Sequence, residues 1–314
     1  MPDVPRVTVL AGGIGAARFL AGLQRVLPPA SITAVCNVGD DLDWMGLKVS
    51  PDIDSVLYTL AGMEGREGWG VRDDTHRVLD GVRALGGEAW FTIGDADLAT
   101  HLARTERLRA GETLTEATAA LARARGIDVR VLPVTDSPHP TVVQTAEGNL
   151  AFQDYFVRRR AAVPVTGIVF PDAATAAPAP GVVEAIRECD LLCFAPSNPF
   201  VSIAPLLALP AVDAAVRASR ARRVAVSPIV GGAAIKGPAA AMMQALGHEV
   251  SALGVARLYR GLVDLFVLDA VDTALVAEVE ALGMAAAAVD TMMVGDEGRE
   301  RVARNVLRAA GYAP

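Results

Sequence analysis

The chain has 314 residues, of which 52% are hydrophobic and 21% charged, and its formal net charge is −7. This is the composition of a folded chain with a large core, which excludes an intrinsically disordered one. The acid excess, with no basic tract beyond Arg158-Arg159-Arg160, argues against a nucleic-acid partner. No apolar run of about 18 residues is free of charges and turn formers, and the N-terminus lacks a basic-then-apolar leader, so no membrane partner and a cytoplasmic location are expected.

In chain order, short β-branched runs alternate with amphipathic helical stretches. That pattern predicts an α/β fold built on a doubly wound, mostly parallel Rossmann-like sheet with helical additions. Strand 1 is predicted at Val7–Leu10, with a helix from about Ala16 after the turn Gly12-Gly13-Ile14-Gly15. Strand 2 at Ile32–Cys36 ends in Asn37-Val38-Gly39-Asp40-Asp41, and a helix capped by Asp54 follows from Ser55. Segments 74–85 and 113–125 read as helices, the second opened by Thr113 and Glu116 in a capping pattern. Trp90–Ile93, Val129–Leu132 and Thr141–Thr145 read as strands, with an antiparallel addition at Leu150–Phe156. Leu191–Phe194 and Val224–Val226 have the continuous apolar character of central parallel strands, and Leu265–Leu268 is another strand in a more helical C-terminal third. Residues 172–181 are a Pro/Ala loop within one domain spanning 1–314. Cys36, Cys189 and Cys193 sit in apolar runs without a Cys-x-x-Cys pair, which reads as buried thiols and not a zinc site. His76, His101, His139 and His248 have no metal-ligand spacing and read as structural or surface residues.

In such sheets ligands bind beyond the carboxyl ends of the strands. The chemically interesting residues cluster there. Gly12 and Gly13 allow backbone amides to approach an anion at a helix N-terminus. The turn lacks the Gly-Lys-Ser/Thr of a P-loop, and Arg18 stands where a dinucleotide fingerprint needs a third small residue. Asp40, Asp41, Asp43, Asp52 and Asp54 place five carboxylates in fifteen residues, with Lys48 between them. Their joint burial requires a cation or protons, and carboxylates with phosphate oxygens suit Mg²⁺. Ala195-Pro196-Ser197-Asn198-Pro199 is a rigid polar loop after a buried strand. Gly231-Gly232 leads to Lys236 before Gly237-Pro238, and Lys236 is one of only two lysines among 29 basic residues. A lysine at a helix N-terminus opposes the dipole unless it faces an anion. Read from residues alone, these loops point to a nucleotide or diphosphate held with Mg²⁺.

Taken in order, GGIGAARFL, NVGDD, SPDIDSVLYTLAG, GWGVRDDT, WFTIGDADLATHL, FQDYFVRR, PSNPFVSI and VSPIVGGAAIKGPA resemble the CofD family, the 2-phospho-L-lactate transferases of coenzyme F-420 biosynthesis, over residues 6–295. The resemblance implies a guanylylated diphosphate donor, a deazaflavin acceptor, release of GMP, a requirement for Mg²⁺, and a homodimer. It implies acceptor contacts at Asp54 and Thr92, metal ligands at Asp40 and Asp52, and a donor site at Gly12, Gly13, Ser197, Asn198, Gly232 and Lys236. Asp40 or Asp54 is the candidate for accepting the hydroxyl proton. Family members often read GGTGG or GGTGT where this chain has Gly-Gly-Ile-Gly-Ala, so the threonine hydroxyl is missing. The wording of the first loop resembles the actinobacterial branch, associated with a phosphoenolpyruvyl donor. The competing expectations are a non-enzymatic UDP-sugar-binding regulator of similar fold and a nicotinamide oxidoreductase.

Overall fold

A computed structural model describes residues 4–313. β1 (Val7–Ala11) runs through Gly12 into α1 (Gly13–Val26), and β2 (Ile32–Cys36) follows. The hairpin β3 (Leu42–Trp44) and β4 (Leu47–Val49) leads to α2 (Pro51–Leu60). Then come α3 (Arg77–Ala84), α4 (Asp95–Arg109), α5 (Leu114–Ala124) and β5 (Arg130–Pro133). A separate antiparallel sheet in the order β7-β6-β8 contains β6 (Val142–Thr145), β7 (Gly148–Ala151) and β8 (Val165–Val169). The second half comprises α6 (Val182–Glu188), β9 (Leu191–Phe194), α7 (Ala204–Ala208), α8 (Pro210–Ala218) and β10 (Arg222–Val226). It continues with the small hairpin β11 (Ile229–Val230) and β12 (Ala233–Ala234), then α9 (Ala239–Ala245) and α10 (Ala252–Leu258). β13 (Leu265–Asp269), α11 (Val276–Glu280), β14 (Ala285–Val289) and α12 (Gly295–Ala309) complete the chain.

The central sheet has seven strands in the order β14-β13-β10-β9-β1-β2-β5, and every pairing is parallel. β1, β9 and β13 are buried along their whole length, as strands covered on both faces must be. From β1 the chain builds outward through β2 and β5, then returns to the other side of β1 with β9. The crevice beyond the carboxyl ends of β1 and β9 is therefore a topological switch point, where ligands bind in open α/β sheets. Among the described residues, no single helix is long and apolar enough to cross a membrane.

Several sequence expectations shift. Of Thr141–Thr145, Val142–Thr145 forms a strand, in the antiparallel sheet. Of Leu150–Phe156 only the start is strand; Asp154–Arg158 forms a wide helical turn. Trp90–Ile93 pairs with no strand and is irregular. It is held by aromatic packing, with Trp44 and Trp90 edge to face at a centroid distance of 4.7 Å. β14 is not foreseen in the sequence because a run of alanines has little strand propensity; its pairing with β13 decides it.

α1 lies between α2 and α12, and small residues allow the approach. A Cβ on Gly22 would sit 2.1 Å from the carbonyl oxygen of Arg299 in α12. Gly22→Ala is therefore expected to lower stability by about 2 kcal/mol, the clash outweighing the helix propensity of alanine. Urea denaturation reads this directly, and an unchanged midpoint would mean that α12 moves aside freely.

Candidate active site

The glycines after β1 each have a separate physical cause. Gly13 has a positive φ of 69°. A Cβ on Gly15 would lie 2.0 Å from the Pro196 carbonyl oxygen, and one on Gly12 would lie 2.6 Å from the Ser202 Cβ and 2.8 Å from Asp52 Oδ2. The turn thus packs tightly against the loop after β9 and against the start of α2. Ser197 reinforces it, donating from Oγ to the Gly12 carbonyl at 2.7 Å. The Gly13 amide already donates to Asp52 Oδ1 at 2.7 Å. What remains for a ligand are the first-turn amides of Ile14 and Gly15, which lack intrahelical partners and lie on the cleft wall.

α2 begins at Pro51, with Ser50 at the cap position. Asp54 is therefore not the cap but sits in the first turn, because Pro51 starts the helix four residues before Ser55. The early start sends Asp52 and Asp54 to different neighbours. Asp52 reaches back to Gly13 and to Asn37, whose Nδ2 donates to Asp52 Oδ2 at 2.9 Å and to Asp40 Oδ1 at 3.3 Å. Gln153 Nε2 donates to the Asp40 carbonyl at 3.2 Å and approaches its Oδ2 at 3.5 Å. Asp40 and Asp52 are buried side by side, and among the described residues neither pairs with a lysine or arginine. Burial, then the charges of Asp52 and Asp41, hold the Asp40 carboxyl well above the usual range. Burial pushes Asp52 up to about 6, against the opposing hydrogen bonds from Asn37 and Gly13.

Asp54 turns the other way. Arg104 of α4 grips it with both terminal nitrogens, one to Oδ2 at 3.0 Å and the other to Oδ1. Burial works against the Arg104 charge, and the Asp54 carboxylate outweighs it, so the guanidinium is held above its ordinary range. His101 stands between Asp54 and Asp97, at 3.6 Å and 3.2 Å. Tyr58 donates to Asp97 Oδ1 at 2.6 Å.

Asp40, Asp52, Asp54, Tyr58, Asp97, His101 and Gln153 line one cleft of about 450 Å³ at the switch point, with Asn37 and Arg104 behind them. Of the residues expected from sequence, Gly12, Gly13, Asp40, Asp52 and Asp54 meet there, together with Thr92, Ser197, Asn198 and Lys236. Lys236 bonds to the Glu67 carbonyl at 2.6 Å across the cleft, and Asn198 is turned to Phe200 N through its Oδ1 at 2.9 Å. Pro238 occupies the cap of α9, not its first turn. Gly232 is not brought to the cleft: it serves the two-residue turn between β11 and β12, which needs positive φ, and has φ 78°. Asp43 and Lys48 pair at 2.8 Å across the β3–β4 hairpin on the surface, so they leave the carboxylate group. Asp97, one of the paired carboxylates of the loop after Trp90–Ile93, lines the site, and Asn37, Tyr58, His101, Arg104 and Gln153 line or support it although sequence reasoning gives them no role there. A signal is present: Asp54 and Tyr58 are four apart, and Asp97, His101 and Arg104 are spaced four and three, so each set forms a polar stripe on one helix face.

The carboxylate pair has a consequence for stability. Between the ordinary value of 3.8 and about 6, folded Asp52 binds more proton than unfolded Asp52. Stability must therefore fall as pH rises through that window when no cation is present. Asp40→Asn removes one of the two charges and is expected to flatten the fall in melting temperature between about pH 4 and about pH 7. An unchanged slope in metal-free buffer would show that the two carboxylates are not coupled.

A family model described as 2-phospho-L-lactate transferase CofD matches residues 7–307. The phosphoenolpyruvate transferase of Streptomyces griseus subsp. griseus is 44% identical over 312 residues, covering 97% of this chain and 98% of its own. The 2-phospho-L-lactate transferase of Methanosarcina acetivorans is 39% identical over 300 residues, covering 95% and 97%. A solved Bacillus halodurans protein of the UPF0052 family superposes with a TM-score of 0.65 at 16% identity, over 98% of this chain and 100% of its own. That last likeness attests to the fold alone. With the family model spanning nearly the whole chain and relatives of this identity matching end to end, the chain belongs to the CofD family and is a transferase.

Proposed function

We propose that the chain moves a phospho-enolpyruvyl or phospho-lactyl group from a guanylylated diphosphate donor to the terminal ribityl hydroxyl of 7,8-didemethyl-8-hydroxy-5-deazariboflavin. GMP leaves, and the step belongs to coenzyme F-420 biosynthesis. The names of the curated relatives support the chemistry of both donors, and the higher identity to a phosphoenolpyruvate transferase favours the enolpyruvyl form.

The observation that carries this reading is the buried Asp40–Asp52 pair at the switch point. Two carboxylates that burial drives toward protonation, Asp40 also by the charge of Asp52, are a poor arrangement by themselves and a good one around a divalent cation. Their donor set fits Mg²⁺, which takes one or two carboxylates and completes its shell with water and substrate phosphate. Asp40 and Asp52 would hold the ion, which when bound supplies positive charge to a diphosphate. The amides of Ile14 and Gly15 and the ammonium of Lys236 face the same cleft and suit an anionic donor. Thr92 and Asp54 line the same cleft and would contact the acceptor. Of the two aspartates considered for the hydroxyl proton, Asp40 is favoured, because both oxygens of Asp54 already bond to Arg104.

The direct test incubates the protein with the deazaflavin, Mg²⁺ and each guanylylated donor in turn, with products read by mass spectrometry. A phosphodiester and GMP are expected. No product from either donor, together with tight binding of UDP-N-acetylglucosamine, would make the chain a nucleotide-sugar binder and refute the assignment. Asp40→Asn and Asp52→Asn are each expected to reduce Mg²⁺-dependent turnover by about a hundredfold.

Metal binding has its own signature. Mg²⁺ must displace protons from carboxyls with raised pKa, so its affinity grows as pH rises through about 6. Added Mg²⁺ should raise the melting temperature at about pH 8 and scarcely at about pH 5, and Asp52→Asn should abolish the gain. An equal gain in that variant would move the metal elsewhere.

A further inference from the structure

Arg18 lines the cleft, yet the assignments above leave it without a role. It stands one turn after Ile14 on the same face of α1. The two side chains meet at the loop after α2: a Cβ on Gly68 would lie 2.6 Å from Ile14 Cγ2 and 3.1 Å from Arg18 Nη2. The Arg18 side chain keeps 21% of its surface exposed. Its Nε donates to Glu64 Oε1 at 2.9 Å, and among the described residues neither terminal nitrogen has a hydrogen-bond partner.

The cause lies outside the cleft. Glu64 and Arg299 do not line it, and Glu64 is buried. The second oxygen of Glu64, Oε2, accepts from Arg299 Nη2 of α12. With that oxygen occupied, Glu64 does not close a two-bond pair with Arg18. One buried carboxylate thus serves two guanidiniums. Arg299 has a further carboxylate in the exposed Asp296 at 3.7 Å, whereas Arg18 has only its share of Glu64.

This arrangement selects an anion. A guanidinium held by Nε offers its two terminal nitrogens as a planar fork, which matches two oxygens of one phosphate or carboxylate. A neutral group would leave the charge unmet, and a cation would be repelled. We propose that Arg18 binds an oxyanion of the donor through its terminal nitrogens, and that Glu64 and Arg299 are positioning residues that hold this fork toward the cleft. The assignment rests on the donor proposed above. It gives α12, at the far end of the chain, a part in donor binding without touching the donor.

The test is a calorimetric titration in Mg²⁺ buffer with two probes: GDP, which has the diphosphate without the acid, and the intact guanylylated donor. Arg18→Gln is expected to weaken at least one of them by about tenfold and to leave the affinity for the deazaflavin unchanged. A loss shared by both probes makes the diphosphate the partner of the fork. A loss confined to the intact donor makes the partner the carboxylate of the three-carbon acid. Unchanged affinity for both probes overturns the proposal. Glu64→Gln and Arg299→Gln should each weaken the same probe about threefold when Arg18 is present, and not at all in the Arg18→Gln background, where no fork remains to be positioned. Equal weakening in the two backgrounds would mean that they merely hold α1 and α12 together, which overturns the positioning role. If Arg18→Gln does not fold, Arg18→Lys takes its place: it keeps the charge, loses the fork, and is expected to lose about fivefold in affinity. Unchanged affinity in that variant also overturns the proposal. Wild-type protein that forms product while the Arg18 variants bind both probes as well as it does rejects the fork and leaves the transferase reading standing. Wild-type protein that binds neither probe defeats the donor assignment, and the fork with it.

Discussion

The site depends on the carboxylate of Asp52. It accepts from the Gly13 amide at the start of α1 and from the Asn37 side chain at the end of β2, while its own backbone begins α2. Three segments separate in sequence are thereby held at one point beyond the sheet. Asn37 extends the knot to Asp40 and, at 3.1 Å, to the Val201 carbonyl after β9. This is unusual work for a helix N-terminus that could have served an external anion directly. The dipole of α1 acts first on an internal carboxylate, and Asp52 in turn builds the proposed metal-binding pair with Asp40.

The charges in the cleft are arranged in two compartments that share α2. On one side, Asp40 and Asp52 have no cationic partner among the described residues. On the other, Asp54 is fully engaged by a buried arginine. A buried ion pair with good geometry roughly offsets the desolvation of its members, whereas unpaired buried carboxylates remain a standing cost. The contrast separates a structural carboxylate from a functional pair more sharply than any count of acidic residues. It also explains why α4, which supplies Arg104, His101 and Asp97, belongs to the site although it lies between two helices in the chain and follows no strand of the central sheet.

The sheet itself is not what distinguishes this chain. The same architecture appears in a Bacillus halodurans protein at 16% identity, where so little of the sequence is shared that only the topology is common. A parallel sheet whose order reverses at β1 creates a crevice whatever lines it. What lines it here is an acidic pair, the Asp54 carboxylate held from behind by Arg104, and the aromatic rings of Trp69, Phe91, Phe152 and Phe156.

The sequence by itself determined the alternation of strands and helices, the central position of Leu191–Phe194 and Val224–Val226, and the gathering of Gly12, Asp40, Ser197 and Lys236 after strands, because those follow from apolar runs and turn chemistry. The ordered motif blocks also carried the family. Only the tertiary structure decided that Asp52 and Asp54 serve different compartments, since that depends on where Pro51 starts α2 and on which helix lies beside it. Only the structure removed Gly232, Asp43 and Lys48 from the cleft, brought His101 to its wall and set Arg104 behind Asp54. A histidine and an arginine on a helix look like surface residues until a second helix with its own polar stripe packs against them, and that meeting is a property of the fold, not of either segment.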